Sequence, residues 1–263
     1  MAHSFTSIWI VGASTGIGRA TALEFAKAGV TVFASARRAQ LLEELAAEAE
    51  AEALQGPGPG RIIPVPVDAA DREAMLAAFA RIEAEHGAPG ALLFAAAMPM
   101  PAERGSQAVA PVIAPVFDLN VYGCLHMLEA ALPALRARRA GRVAIISSVA
   151  GFRGLPRGLA YGASKAALTH IAEALWFECA RDGIAVQVIH PGFVKTPLTD
   201  KNSHPMPFLV QADEAARRIV RGMERGGFEI TFPRRFTWFL KLLRLLPYGL
   251  YFRLVARATR RFV

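Results

Sequence analysis

The sequence predicts an α/β domain built on a doubly wound parallel sheet, and three observations carry that expectation. Short runs rich in Val and Ile alternate with long helical stretches from residue 7 to 232. The first of these runs breaks into a glycine-rich turn that opens a helix, and no shift in composition divides the region. At 263 residues the chain can bury one sizeable core without a repeat or disulfide framework. The expected organisation is a single domain over 1–232 followed by a basic, apolar helical extension over 233–263.

Each element can be read in order. SIWIV (7–11) is a first strand, and helical periodicity follows GASTGIG through TALEFAKAG. VTVFAS (30–35) is a second strand, QLLEELAAEAEAEAL (40–54) a helix and QGPGPG (55–60) a turn. RIIPVPV (61–67) reads as a third strand, although two prolines argue against a central position. Residues 71–86 form a helix, ALLFAAA (91–97) a fourth strand, and a long helix runs through VFDLNVYG (116–123) and beyond. GRVAIISS (141–148) is a fifth strand, and the next helix starts near YGASK (161–165) and continues through ALTHIAEALWFECARD (167–182). IAVQVIH (184–190) is a sixth strand, residues 211–226 a helix and GFEITF (227–232) a last strand. The polar, proline-containing stretch 192–212 is a candidate lid over a crevice at the carboxyl ends of the strands.

Composition excludes several functions. Cys124 and Cys179 fall in helices, belong to no ligand cluster and read as buried thiols of a reduced compartment, so neither a metal nor a disulfide is expected. The first residues show no secretory leader, and a cytoplasmic protein is expected. Eight basic residues and no acidic one lie between Arg234 and Arg261, so the +8 formal charge resides at the C-terminus. An evenly basic nucleic-acid surface is not what this describes.

Gly12, Gly16 and Gly18 follow a strand and open a helix, the context in which a backbone turns tightly and a helix N-terminus stabilises a pyrophosphate. At the end of the second strand SARR puts Ala36 where an acid would bind the ribose hydroxyls of NAD, and Arg37 follows. Arginine clamps a phosphate with two parallel bonds, so NADP is the expected cofactor, with Ser35 and Arg38 as further contacts; the alternative is that both arginines solvate a turn. Asp68 is placed to accept from the adenine amino group or, alternatively, to cap the next helix. Tyr161 and Lys165 share one helical face, where an ammonium would favour the phenolate.

These motifs together resemble the short-chain dehydrogenase/reductase family, in its NADP-preferring form, across nearly all of residues 5–232. Asn120 in NVYG is similar to that family's active-site asparagine, Ser148 to its serine, and Tyr161 with Lys165 to its YxxxK pair. Pro191, Gly192, Val194 and Thr196 resemble the segment bordering the nicotinamide. The resemblance implies a Rossmann-like fold, catalysis by Asn120, Ser148, Tyr161 and Lys165, and NADP(H) held by Gly12, Ser14, Thr15, Gly16, Ile17, Gly18, Ser35, Arg37, Arg38, Asp68, Ala96, Tyr161, Lys165, Pro191, Gly192, Val194 and Thr196. It also implies hydride transfer to a carbonyl or from a secondary alcohol, with Ser148 bonding the oxygen, Tyr161 moving the proton and Asn120 supporting a water path behind Lys165. A homodimer or homotetramer is expected. One segment departs from the pattern: LFAAAMP puts Ala95 and Ala97 where the family has Asn and Gly.

Ser147 is a neighbour of opposite orientation, since adjacent strand residues face opposite ways. His126, His170, His190 and His204 form no ligand spacing, and His204 lies in the lid. The competing functional readings are a non-catalytic dinucleotide sensor and a membrane-surface scaffold. In the extension, two helical pieces divide around Pro247 and Gly249, too short and charged to span a bilayer. They suit packing beside a cleft for a lipophilic substrate or against a partner subunit, with weak peripheral membrane contact as the other outcome.

Overall fold

The computed structural model describes residues 4–53, 60–99, 110–200 and 205–260. Most of the turn read at 55–60 and the lid residue His204 fall outside these. Seven parallel strands form one sheet in the order β3-β2-β1-β4-β5-β6-β7. They are β1 Ser7–Val11, β2 Thr31–Ser35, β3 Ile62–Pro64, β4 Ala91–Phe94, β5 Gly141–Ile146, β6 Ile184–Pro191 and β7 Glu229–Phe232. The helices are α1 Gly16–Lys27, α2 Ala39–Ala53, α3 Arg72–His86, α4 Ala110–Phe117, α5 Gly123–Arg138, α6 Leu159–Cys179, α7 Ala212–Arg225, α8 Arg234–Arg244 and α9 Tyr248–Thr259.

Both sheet faces are covered, and β1 shows why its sequence carries no polar alternation. Ile8 and Ile10 enter the core shared with Phe25, Leu42 and Ile219, whereas Trp9 and Val11 enter the core shared with Phe79, Met127 and Leu168. All four are buried, as expected for a central parallel strand. Strand order reverses direction between β1 and β4, which opens a crevice at their carboxyl ends.

The structure refines the sequence reading of three elements. β3 is an edge strand, and the N–H groups of Val65 and Val67 donate to the carbonyls of Ala34 and Ala36. Pro64 and Pro66 alternate with these donors, so their missing N–H groups fall toward the open edge, where no ladder bond is lost. The long helix is broken by a π-helical segment, Asp118–Tyr122, with Asn120 at its centre. In the extension the break comes at Leu245–Pro247, and Gly249 lies inside the first turn of α9.

Candidate active site

The glycine turn is fixed by backbone bonds: Gly12 and Ala13 donate to the Ser35 carbonyl at 2.7 and 3.0 Å. Gly12 has φ +98°, and a Cβ there would stand 2.3 Å from the backbone nitrogen of Ala96. Gly16 has φ +59°, with Thr196 as the nearest neighbour of any added Cβ, at 3.2 Å. A side chain at Gly12 would collide with backbone, and at either position the positive φ would strain any residue but glycine. Thr15 precedes α1 without a side-chain capping bond, and no acid occupies the first turn. The helix N-terminus is therefore suited to an anion.

A cleft of about 270 Å³ runs from this turn across the strand ends to α6. Of the expected cofactor contacts, Gly12, Ser14, Thr15, Gly16, Ile17, Gly18, Arg37, Arg38, Asp68, Ala96, Tyr161, Lys165, Pro191, Gly192, Val194 and Thr196 line it. Arg38 also donates to the Ser14 hydroxyl at 3.3 Å, bringing the end of β2 to the glycine turn. One Asp68 oxygen accepts from Ala70 N–H at 3.0 Å, while the cap of α3 is Asp71, which accepts from Ala74. The cleft also takes in Leu119, Leu198 and Thr199, which no sequence motif marked.

Ser35 departs from its expected place. It is fully buried, accepting from the Trp9 indole at 2.9 Å and donating to the Val65 carbonyl at 2.8 Å. Its position on β2 turns the hydroxyl into the sheet interior, so only its carbonyl serves the turn.

Ser148, Tyr161 and Lys165 converge at the other end of the cleft. Ser148 ends the run after β5, and its Oγ accepts from Ala150 N–H at 3.1 Å, which leaves its proton available. Ser147 also borders the cleft, but its hydroxyl is engaged by α6, donating to the Lys165 carbonyl at 2.7 Å and meeting Thr169 at 2.8 Å. Burial pushes the Tyr161 phenol above its ordinary value, and hydrogen bonding with Ser148 acts against that rise. The expected lowering by Lys165 does not govern. Its ammonium donates to the Ile146 carbonyl at 2.8 Å and lies 5.7 Å from the Tyr161 ring centre, and burial pushes it down to about 8.

Asn120 does not line the cleft. It is fully buried behind it, donating to the Ser164 hydroxyl at 2.9 Å and the Met98 carbonyl at 3.1 Å and accepting from Met98 N–H at 2.7 Å. It thus ties the segment after β4 to α6, holding backbone next to the alanines that replace the family's Asn and Gly. Cys124, also buried there, has its thiol pushed up to about 12 by burial.

The description "short chain dehydrogenase" matches residues 6–207 as a sequence family. The chain belongs to the short-chain dehydrogenase family. It is similar to an uncharacterized oxidoreductase of Myxococcus xanthus, 34% identical over 257 residues covering 94% of this chain and 95% of that one. A short-chain dehydrogenase from Sphingobium yanoikuyae in complex with NADPH superposes with a TM-score of 0.77 at 24% identity, covering 92% of this chain and 97% of that one. A 3-oxoacyl-[acyl-carrier protein] reductase from Brucella melitensis with bound NAD gives 0.73 at 26% identity, covering 86% and 88%. As a short-chain dehydrogenase, the chain is an NAD(P)(H)-dependent oxidoreductase.

Three residues that sequence reading missed, Arg153, Phe236 and Glu229, join the domain around the site to the extension. Arg153, five residues past Ser148, donates to the carbonyls of Arg244 and Leu246 at 2.9 and 2.6 Å. Its guanidinium also lies 4.4 and 4.1 Å from the ring centres of Tyr248 and Tyr251. Phe236 of α8 meets Phe193 and Phe208 of the 192–212 stretch, each at 5.9 Å between ring centres. On β6, His190 bonds Glu229 at 2.8 Å through Nδ1 and Thr169 at 3.0 Å through Nε2, and Glu229 is also paired with Lys241 of α8. Among the described residues, no helix is long and apolar enough to cross a membrane.

Proposed function

We propose that the chain is an NADP(H)-linked oxidoreductase that interconverts a carbonyl and a secondary alcohol, with Tyr161 as general acid and base. The observation that carries this reading is one cleft with Ser148, Tyr161 and Lys165 at one end and Arg37 and Arg38, with no acid at Ala36, at the other. Similar structures include one with NADPH and one with NAD, so the choice rests on this chain's own residues at the end of β2. The α1 N-terminus suits the pyrophosphate, the two arginines a 2′-phosphate, Asp68 the adenine, and Val194 and Thr196 the nicotinamide carboxamide.

When bound, the reduced nicotinamide supplies the hydride. A carbonyl oxygen carries only lone pairs, so Ser148 meets it as a donor, while Ala150 N–H holds its Oγ in place. Tyr161, with its phenol raised by burial, is protonated at neutral pH and gives its proton to the same oxygen. Lys165 has two further donors beyond its bond to Ile146, suited to a ribose hydroxyl and to returning the proton to Tyr161. Asn120 acts behind them by holding the backbone around Met98 against α6. In the oxidation direction tyrosinate is the base.

The 192–212 stretch acts as a lid, and its aromatic contacts with α8 support a lipophilic substrate. Exposed Tyr122, Leu125, Trp176 and Phe177 near and on α5 and α6 support a homodimer through that face. Calorimetric titration tests the cofactor choice: NADPH should bind at least about tenfold more tightly than NADH, or about 1.4 kcal/mol. Arg37→Ala should weaken NADPH far more than NADH. Equal affinities for the two cofactors in the native protein would remove the phosphate-clamp assignment.

A further inference from the structure

We infer that the outward face of the α8–α9 hairpin docks on an anionic lipid bilayer. The inward face is already committed to the domain. Thr237 is fully buried, and Tyr251, 3% exposed, donates to the Gly154 carbonyl at 2.8 Å. Arg153 grips the turn between the helices, and Lys241 is paired with Glu229. The hairpin is thus a fixed surface, and what it presents outward needs its own explanation.

That outward face is apolar and cationic together. On α8 and at its C-terminal cap, Trp238, Phe239, Leu242 and Leu245 are 58%, 56%, 62% and 79% exposed. On α9, Leu250, Phe252 and Leu254 are exposed as well. Isolated exposed apolar residues are ordinary, but a contiguous set on two joined helices marks an interaction surface. At about 100° per residue, Arg253 and Arg257, with Arg260 at the C-terminal cap, project from the side of α9 opposite Tyr251, between Leu250 and Leu254 on one flank and Phe252 on the other. All three arginines are exposed, as are Arg235 and Arg244 on or ending α8, and no acid occurs from 233 to 263.

Charge selects the occupant. Protein interfaces accept arginine among aromatic residues, but a second copy of this face would set arginine against arginine with no acid between them, whereas anionic headgroups neutralise each one. Aromatic and leucine side chains beside arginines suit the boundary between acyl chains and anionic headgroups. With 11 and 12 residues the helices reach only about 17 and 18 Å, short of the roughly 30 Å hydrocarbon core, so they lie in the interface plane. Phe208, 59% exposed and in ring contact with Phe236, extends the same surface toward the lid. The docking does not depend on the catalytic assignment, and either can fail alone.

Sedimentation of the full chain with vesicles of phosphatidylcholine, with and without phosphatidylglycerol, at low and molar salt tests the inference. Binding should require the anionic lipid and weaken in salt, because screening acts on the arginine contribution. The Arg253→Gln, Arg257→Gln double variant should bind roughly 30-fold more weakly, at about 1 kcal/mol per cation. A Leu242→Glu, Leu245→Glu variant should lose binding while its circular dichroism and NADPH affinity stay unchanged. Absence of binding to anionic vesicles overturns the inference, as does binding indifferent to salt and to the arginine substitutions. So does a leucine variant that alters only the oligomer measured without lipid, which would assign the face to a second copy of the chain.

Discussion

Glu229→Gln probes how the extension is tied to the sheet, and the size of its effect follows from the carboxyl's surroundings. Burial alone would raise Glu229, but hydrogen bonds with His190 and Lys241 and electrostatic attraction from these neighbours more than offset it, holding the group at about 2 against an ordinary 4.5. A carboxyl depressed in the folded state stabilises the fold above its unfolded value and loses that contribution as pH falls through the folded value. The difference corresponds to at most about 3 kcal/mol at neutral pH and to about 1.4 kcal/mol at pH ~3. The side chain is 26% exposed, so screening brings the expected loss in the variant to about 2 kcal/mol at pH ~7. Urea unfolding of both proteins from about pH 7 to 3 should show their stability gap shrinking by more than half. A gap that is absent at neutral pH, or constant across the range, would refute the assignment of Glu229 as a charged link between β7, His190 and α8.

Arg153→Ala should release α9 and the end of α8, removing two charge-assisted bonds and two cation–π contacts worth about 3 kcal/mol together; hydrogen exchange should quicken there and not in the sheet. Equal protection would assign the docking elsewhere. Gly12→Ala places a Cβ 2.3 Å from backbone at a φ of +98° and should abolish dinucleotide binding in calorimetry, with a lowered melting temperature. With Lys165 at about 8 and the Tyr161 phenol above its ordinary value, reduction should fall as pH rises through about 8, when the ammonium is lost, while the phenol is still protonated. A reduction rate that stays flat well above that pH would contradict this order of titration. Phe177→Glu should convert the proposed dimer to monomers in analytical ultracentrifugation, whereas an unchanged mass would place the interface on another face.

What the sequence made legible is mostly local. The strand runs, the glycine turn and the spacing of Tyr161 and Lys165 each lie within a few residues, and the alternation that separates Ser147 from Ser148 needs only strand geometry. What it hid depends on partners far along the chain. The inward turn of Ser35 is set by Trp9 and Val65, and the tie from Asn120 to Ser164 spans 44 residues. Arg153 reads as an ordinary loop cation until the end of α8, more than 90 residues later, is brought beside it. The prolines of β3 were readable as a strand warning, but only the sheet order shows that their strand is an edge. The phenol was expected to be lowered by its lysine because spacing reveals proximity along a helix; it does not reveal that both groups are desolvated or that the ammonium faces Ile146.

The most direct measurement of the central claim compares wild type with Tyr161→Phe, following NADPH absorbance across a panel of aldehydes and ketones alongside calorimetric titration of NADPH. The substitution removes only the hydroxyl that donates the proton, so turnover should fall by roughly two orders of magnitude or more while NADPH affinity stays within about threefold. Turnover by the phenylalanine variant at the wild-type rate, on any substrate the wild type reduces, would contradict the assignment of Tyr161 as the general acid.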